Sequence, residues 1–290
     1  MNPVVGVEPV SRPGDTGKAL PTSNLALRVL SAVILAPLAL VTAYLGDWPF
    51  AVFWGAAALA VLWEWIALVA GSAYRLMFSC CAGAIAVAGF FAWLGRPIVA
   101  LLMLGLGALA AAIFAPSDRR LWVTLGIGYA GAMLLAPVFL RGDRVYGFEV
   151  IVLLFAVVWT TDVFGYFAGR AFGGPKLLPA VSPKKTWSGA IAGAGGAMIA
   201  ALFVASLLGS VNVLAILIVA FVLSVLAQFG DLLESWVKRQ FGAKDSSQLI
   251  PGHGGVMDRL DGFWVAAVAG CLIGILRGGF DGPARGLLVW

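Results

Sequence analysis

Charge is scarce in this chain. Asp, Glu, Lys and Arg make up 11% of its 290 residues, against about 25% in a soluble globular chain. With 61% hydrophobic residues and a mean hydropathy of +0.99, the surface needs a solvent that accepts apolar groups, which excludes an ordinary water-soluble fold. Histidine is nearly absent: His253 stands alone, and a lone imidazole makes no metal site. The three cysteines, Cys80, Cys81 and Cys271, lie in apolar runs at spacings that fit no metal pattern, so they read as packing residues. No P-loop occurs. The glycine runs near Gly193 and Gly252 follow no strand, so they are not dinucleotide loops. No Ser-His-Asp arrangement is evident.

Long apolar runs are abundant instead. They fall at about 25–45, 49–70, 76–95, 97–115, 121–140, 147–168, 188–208, 211–233 and 258–276, each near the roughly 20 residues a helix needs to cross hydrocarbon. The expected fold is an all-α polytopic transmembrane bundle of about nine spanning helices. Residues 1–24, rich in Pro, Gly and Ser, read as a disordered cytoplasmic tail. Residues 25–145 form an N-terminal group of transmembrane helices and 146–290 a C-terminal catalytic region. The first run reads as a retained anchor. Many of the 37 glycines lie inside the spans, among them Gly126, Gly128, Gly131, Gly189, Gly193, Gly195 and Gly196, as close helix packing in lipid requires.

With the N-terminus inside, 14 of the 19 Lys and Arg residues fall on the cytoplasmic side. Only Arg96, Arg141, Arg144, Arg277 and Arg285 fall outside. The expected location is the inner, plasma membrane, with the C-terminus outside. The hydrophilic segments 170–187 and 234–262 then both face the cytoplasm.

Those two segments hold nearly all the polar chemistry. Asp231 and Glu234 sit three apart at the end of the eighth run, and Asp258 and Asp261 three apart at the start of the ninth. Residues at i and i+3 share a helix face, and the two helices are antiparallel, so both pairs of acids are expected to meet at one depth. A divalent cation, or nearby Lys and Arg, must offset their charge. Oxygen ligands without sulfur or clustered imidazole indicate Mg²⁺. The connecting loop is read as carrying Lys238, Arg239, Lys244 and Arg259, bases suited to phosphate, beside a Pro-Gly-His-Gly-Gly turn that lets backbone approach an anion. Acids for Mg²⁺ next to bases for phosphate suit phosphoryl or nucleotidyl transfer. The bland alternative is a solvated interfacial loop with incidental ion pairs. Ser182-Pro-Lys184-Lys185-Thr186, before the seventh run, is either a second anion site or a positive-inside anchor. Asp162 and Glu64 lie within spans, where ionisable residues are functional candidates. For Glu64, a hydrogen bond or ion pair inside the bundle explains the residue equally well.

These residues resemble the phosphatidate cytidylyltransferase family, the CDP-diacylglycerol synthases. The resemblance rests on Ser235, Lys238, Arg239, Lys244, Asp245, Pro251-Gly252-His253-Gly254-Gly255, Asp258, Arg259 and Asp261. It is extended by Gly230-Asp231-Leu-x-Glu234, by Asp162 with Gly165, Tyr166 and Gly169, and by Ser182–Thr186. It covers about residues 150–265. Ser188 departs from it, since the family often has Glu there. The resemblance implies that CTP and phosphatidic acid give CDP-diacylglycerol and pyrophosphate, in a membrane homodimer with no nucleic-acid partner. It leaves room for a monovalent cation beside Mg²⁺. It implies Asp231 and Asp258 as metal ligands, with Glu234 beside them. Lys238, Arg239, Lys244 and Asp261 become expected catalytic groups. Ser182, Lys184, Lys185, Ser235, His253 and Arg259 become expected substrate contacts. Two rivals remain to be weighed: a CDP-alcohol phosphotransferase, whose pattern of closely spaced aspartates is not found, and a transporter, whose ionisable residues would sit near the midplane in two repeated halves.

Overall fold

A computed structural model describes residues 21–70, 75–208, 212–250 and 254–290. The architecture is all-α with one small hairpin. The helices are α1 (Pro21–Leu45), α2 (Asp47–Ala70), α3 (Arg75–Trp93), α4 (Pro97–Phe114), α5 (Arg120–Arg141) and α6 (Gly147–Phe172). Strands β1 (Lys176–Leu178) and β2 (Ser182–Thr186) follow, then α7 (Trp187–Leu208), α8 (Val213–Gln240), α9 (Met257–Gly278) and α10 (Pro283–Leu288). Seven described helices, α2 and α4 to α9, are long and apolar enough to cross a membrane. The apolar parts of α1 and α3, Val33–Leu45 and Met77–Trp93, are shorter, so the described residues do not establish nine spans. Helix α1 begins at Pro21, inside the stretch read as tail. Residues 1–20 and His253 lie outside the described residues.

Hydrophobic side chains cover both the interior and the outer surface, as lipid demands. Trp54, Leu62, Ile127, Met133 and Ile151 are fully buried, while Phe167, Ile199, Phe203 and Leu276 are exposed on the outside of the bundle. Helices α6 and α7 pack along their length because small residues line the seam. A Cβ on Gly189 would lie 2.6 Å from the Gly165 carbonyl oxygen, and one on Gly193 2.8 Å from that of Thr161. The packing reason holds equally for Gly126, Gly131 and Gly196, but fails for Gly128 and Gly195, whose Cβ positions meet nothing within 4 Å.

Helix α8 runs seven residues beyond the apolar pattern. Lys238 and Arg239 therefore lie on helix, and Arg259 lies in the first turn of α9, so only Lys244 of the four expected loop bases is in the loop. Gly242, at φ +67, turns the chain out of α8 where a side chain would be strained. At the other end of the bundle, Arg141 donates to the carbonyls of Ala43 (2.5 Å) and Tyr44 (3.1 Å) at the close of α1. Arg277 lies 3.6 Å from the Trp290 ring centroid. A cavity of about 540 Å³ opens there beside Asp47, Trp93, Arg141 and Arg144.

Candidate active site

The acids of α8 and α9 are brought together by glycine. A Cβ on Gly230 would collide with the carbonyl oxygen of Asp261, and one on Gly262 would lie 3.2 Å from that of Ala227. Each of these glycines neighbours an aspartate, Asp231 or Asp261, so the two backbones touch where the carboxylates are needed. Gly230→Val is expected to force the helices apart, costing about 1–3 kcal/mol of stability together with activity. Gly195→Ala, in open space, should leave both unchanged. Thermal unfolding and turnover of the detergent-purified variants check this.

The four acids do not meet at one depth. The antiparallel helices pair them in two layers, one helical turn apart. In the first layer, the Lys238 ammonium sits 2.7 Å from Glu234 and 2.5 Å from Asp258. Glu234 and Lys238 are buried, the Glu234 side chain to 1% exposure, and Asp258 is partly buried. Asp258 also accepts from Ser246 N (3.0 Å), Ser246 Oγ (3.0 Å) and Gly255 N (2.8 Å), so protein donors engage both of its oxygens. In the second layer, Asp231 pairs with Lys185 of β2. Asp261 and Asp162 lie within electrostatic reach of Asp231 and of that lysine, and Arg259 acts on Asp162. Asp261 accepts from its neighbour Gly262 N at 2.8 Å. Ser235 Oγ approaches Asp231 at 3.5 Å, a weak bond.

The hairpin explains Lys185. Gly173 and Gly174, at φ +60 and +96, release the chain from α6. Strands β1 and β2 then pair Lys176 with Thr186 and Leu178 with Ser182. Thr186 caps α7 by accepting from Gly189 N at 3.2 Å. The adjacent lysines therefore precede α7 on a strand, with Lys185 turned to Asp231 and Lys184 exposed. Ser188, where an acid was absent, donates to the Gly173 carbonyl and closes the base of the hairpin. Arg239 closes α8 by donating to the Ala243 carbonyl at 2.7 Å, and remains exposed with Lys244 and Arg259.

No three of His, Cys, Asp and Glu among the described residues form a group that could by itself hold a metal ion. Magnesium does not require one. It is commonly bound by one or two carboxylates, with substrate phosphates and water completing the shell. Asp231 and Asp261 offer hard oxygen donors of the kind magnesium takes, with Asp231 paired to Lys185, while Asp258 and Glu234 pair with Lys238.

A profile of the Cytidylyltransferase family matches residues 26–275. The chain belongs to the Cytidylyltransferase family. It is 44% identical to a phosphatidate cytidylyltransferase of Brucella suis biovar 1 (strain 1330) over 267 residues, covering 90% of this chain and 97% of that protein. It is 34% identical over 277 residues to one from Haemophilus influenzae, covering 82% and 94% of the two chains.

In this cytidylyltransferase-family chain the structure adds a residue that the sequence did not suggest. Tyr129 of α5 packs on Trp264 of α9, ring centroids 4.3 Å apart. Its buried hydroxyl lies within electrostatic reach of Asp261, Glu234 and Asp258. An aromatic in an apolar run gives no sequence signal of that kind.

Proposed function

We propose that this integral membrane protein is a phosphatidate cytidylyltransferase. A phosphate oxygen of phosphatidic acid attacks the α-phosphorus of CTP. The new P–O–P bond forms CDP-diacylglycerol as the bond to the β-phosphate breaks and pyrophosphate leaves. The substrate phosphate is already an anionic nucleophile, so the protein's task is to position two anions and offset their charge.

The observation that carries this reading is the second acidic layer. Asp231, Asp261 and Asp162 from three helices gather beside Lys185 of the hairpin, with Arg259 acting on Asp162, and Lys184, Arg239, Lys244 and Arg259 are exposed. Relatives that share the chain over nine-tenths of its length bear the enzyme's name. Asp231 and Asp261 would hold Mg²⁺. When bound, the ion would polarise the nucleotide phosphates and stabilise charge on the departing pyrophosphate. Lys185 balances Asp231, and the exposed bases draw in the two phosphate-bearing substrates. Lipid tails stay in the bilayer while CTP arrives from the cytoplasm, the side chosen by the distribution of Lys and Arg. A homodimer belongs to the same reading, and crosslinking of the solubilised protein tests it.

Purified protein given labelled CTP, phosphatidic acid and Mg²⁺ should form a lipid-soluble cytidine product and release pyrophosphate stoichiometrically. No such product from folded protein would refute the reaction. Diacylglycerol in place of phosphatidic acid should give none.

A further inference from the structure

Glu64 lies on α2, about 180–190 positions from the residues it holds. It is fully buried, at 0% exposure, yet sits six residues inside its helix. Its carboxylate is saturated from one source. Oε1 accepts from Ser247 Oγ at 2.6 Å and Val256 N at 2.8 Å, while Oε2 accepts from Met257 N at 2.7 Å and Ser246 Oγ at 3.1 Å.

These four donors come from both ends of the loop joining α8 to α9. Val256 is the cap residue of α9 and Met257 its first helical residue, and Val256 provides no side-chain cap. Helix α9 thus begins with exposed N–H groups, and a carboxylate from another helix satisfies them where the helix dipole favours negative charge. Gly255 leaves room for this: a Cβ there would lie 2.6 Å from Glu64 Oε1. Ser246 Oγ lies within hydrogen-bond distance of both Glu64 and Asp258 and can give its one proton to either, while its backbone N–H donates to Asp258. Asp258 in turn fixes Lys238, and one turn further along α9 stands Asp261.

We propose that Glu64 is a positioning residue for the transfer reaction, holding the first two turns of α9 so that Asp261 stays opposite Asp231. This rests on the cytidylyltransferase reading above. Glu64 touches neither substrate nor metal. It acts through the loop and the start of α9.

The test is Glu64→Gln in the full-length, detergent-purified protein. The amide can accept through one atom only, and in either orientation its NH₂ faces one of the two backbone N–H groups, so at least one of the bonds to Val256 N and Met257 N is lost. Turnover should fall about 10–100-fold, as for other losses of supporting hydrogen bonds around a site. The Mg²⁺ concentration for half-maximal rate should rise, while KM for phosphatidic acid stays within about threefold. Hydrogen exchange should speed up at Val256 and Met257 but not along α6 and α7. A purely structural role would lower the yield of folded protein and leave the Mg²⁺ requirement of the folded fraction unchanged, which would overturn the proposal. If Glu64→Gln does not fold, Ser247→Ala carries the test. It removes one donor and should give a smaller loss of turnover with the same shift in Mg²⁺ dependence, and an unshifted dependence would overturn the proposal. Absence of product from the wild-type protein would count against the reaction itself. Wild-type turnover beside an equally active Glu64→Gln counts against Glu64 alone.

Discussion

Asp231→Asn is expected to reduce CDP-diacylglycerol formation by at least about 10²–10³-fold, the scale of losing one preorganised electrostatic contact in an active site, while the protein still inserts and folds. Asparagine keeps the shape but removes the charge that Lys185 answers and that a divalent cation would need. Asp261→Asn should act in the same way, because both carboxylates face the same layer. The double variant should be little worse than either single one, since residues that act as a unit are not additive. Both single variants should require more Mg²⁺. Turnover close to wild type in either one would remove it from the site.

Asp258→Asn separates this assignment from the one implied by the family pattern alone. If Asp258 were a metal ligand, its loss would resemble that of Asp231, with little change in stability. The structure instead gives its oxygens to Lys238, Ser246 and Gly255. The expected result is lowered thermal stability with an Mg²⁺ requirement near that of the wild type. An unchanged unfolding temperature with a raised Mg²⁺ requirement would return Asp258 to the metal.

Much of the helical architecture was legible because lipid imposes a simple rule: apolar runs of spanning length. The runs at 97–115 and 188–208 reappear as α4 and α7 within a residue or two. The rule fails where polar residues continue a helix. Residues 234–240 look like loop by hydropathy, but Arg239 on the Ala243 carbonyl and Gly242 in a left-handed turn end α8 only after them. The hairpin at 176–186 was hidden because its eleven residues carry no alternation of apolar and polar side chains. Spacing of three correctly placed Asp231 with Glu234, and Asp258 with Asp261, on shared faces. It could not tell which acid meets which, since that depends on the offset of two antiparallel helices, fixed by Gly230 against Asp261 and Gly262 against Ala227. The partners of Glu64, about 190 positions away, carry no local signal at all.

The second large effect concerns Lys238, which the family resemblance casts as a catalytic group and which sits as the cation between Glu234 and Asp258. Lys238→Met would leave Glu234, 1% exposed, facing Asp258, 9% exposed, with no positive charge between them. Breaking a buried ion pair from one side costs about 3–5 kcal/mol, and here two acids are stranded together. Glu234→Gln should cost less, because Lys238 keeps Asp258. Adding Glu234→Gln to Lys238→Met should recover part of the loss, by removing one of the two like charges. Contacting groups of this kind couple by about 0.5–3 kcal/mol. Denaturant or thermal unfolding of the four proteins in one detergent measures the cycle. Activity of Lys238→Met should fall with stability and should not return on adding Mg²⁺, since the missing charge belongs to the protein. Full wild-type stability with turnover abolished would break this account and restore Lys238 as a direct contact to substrate phosphate.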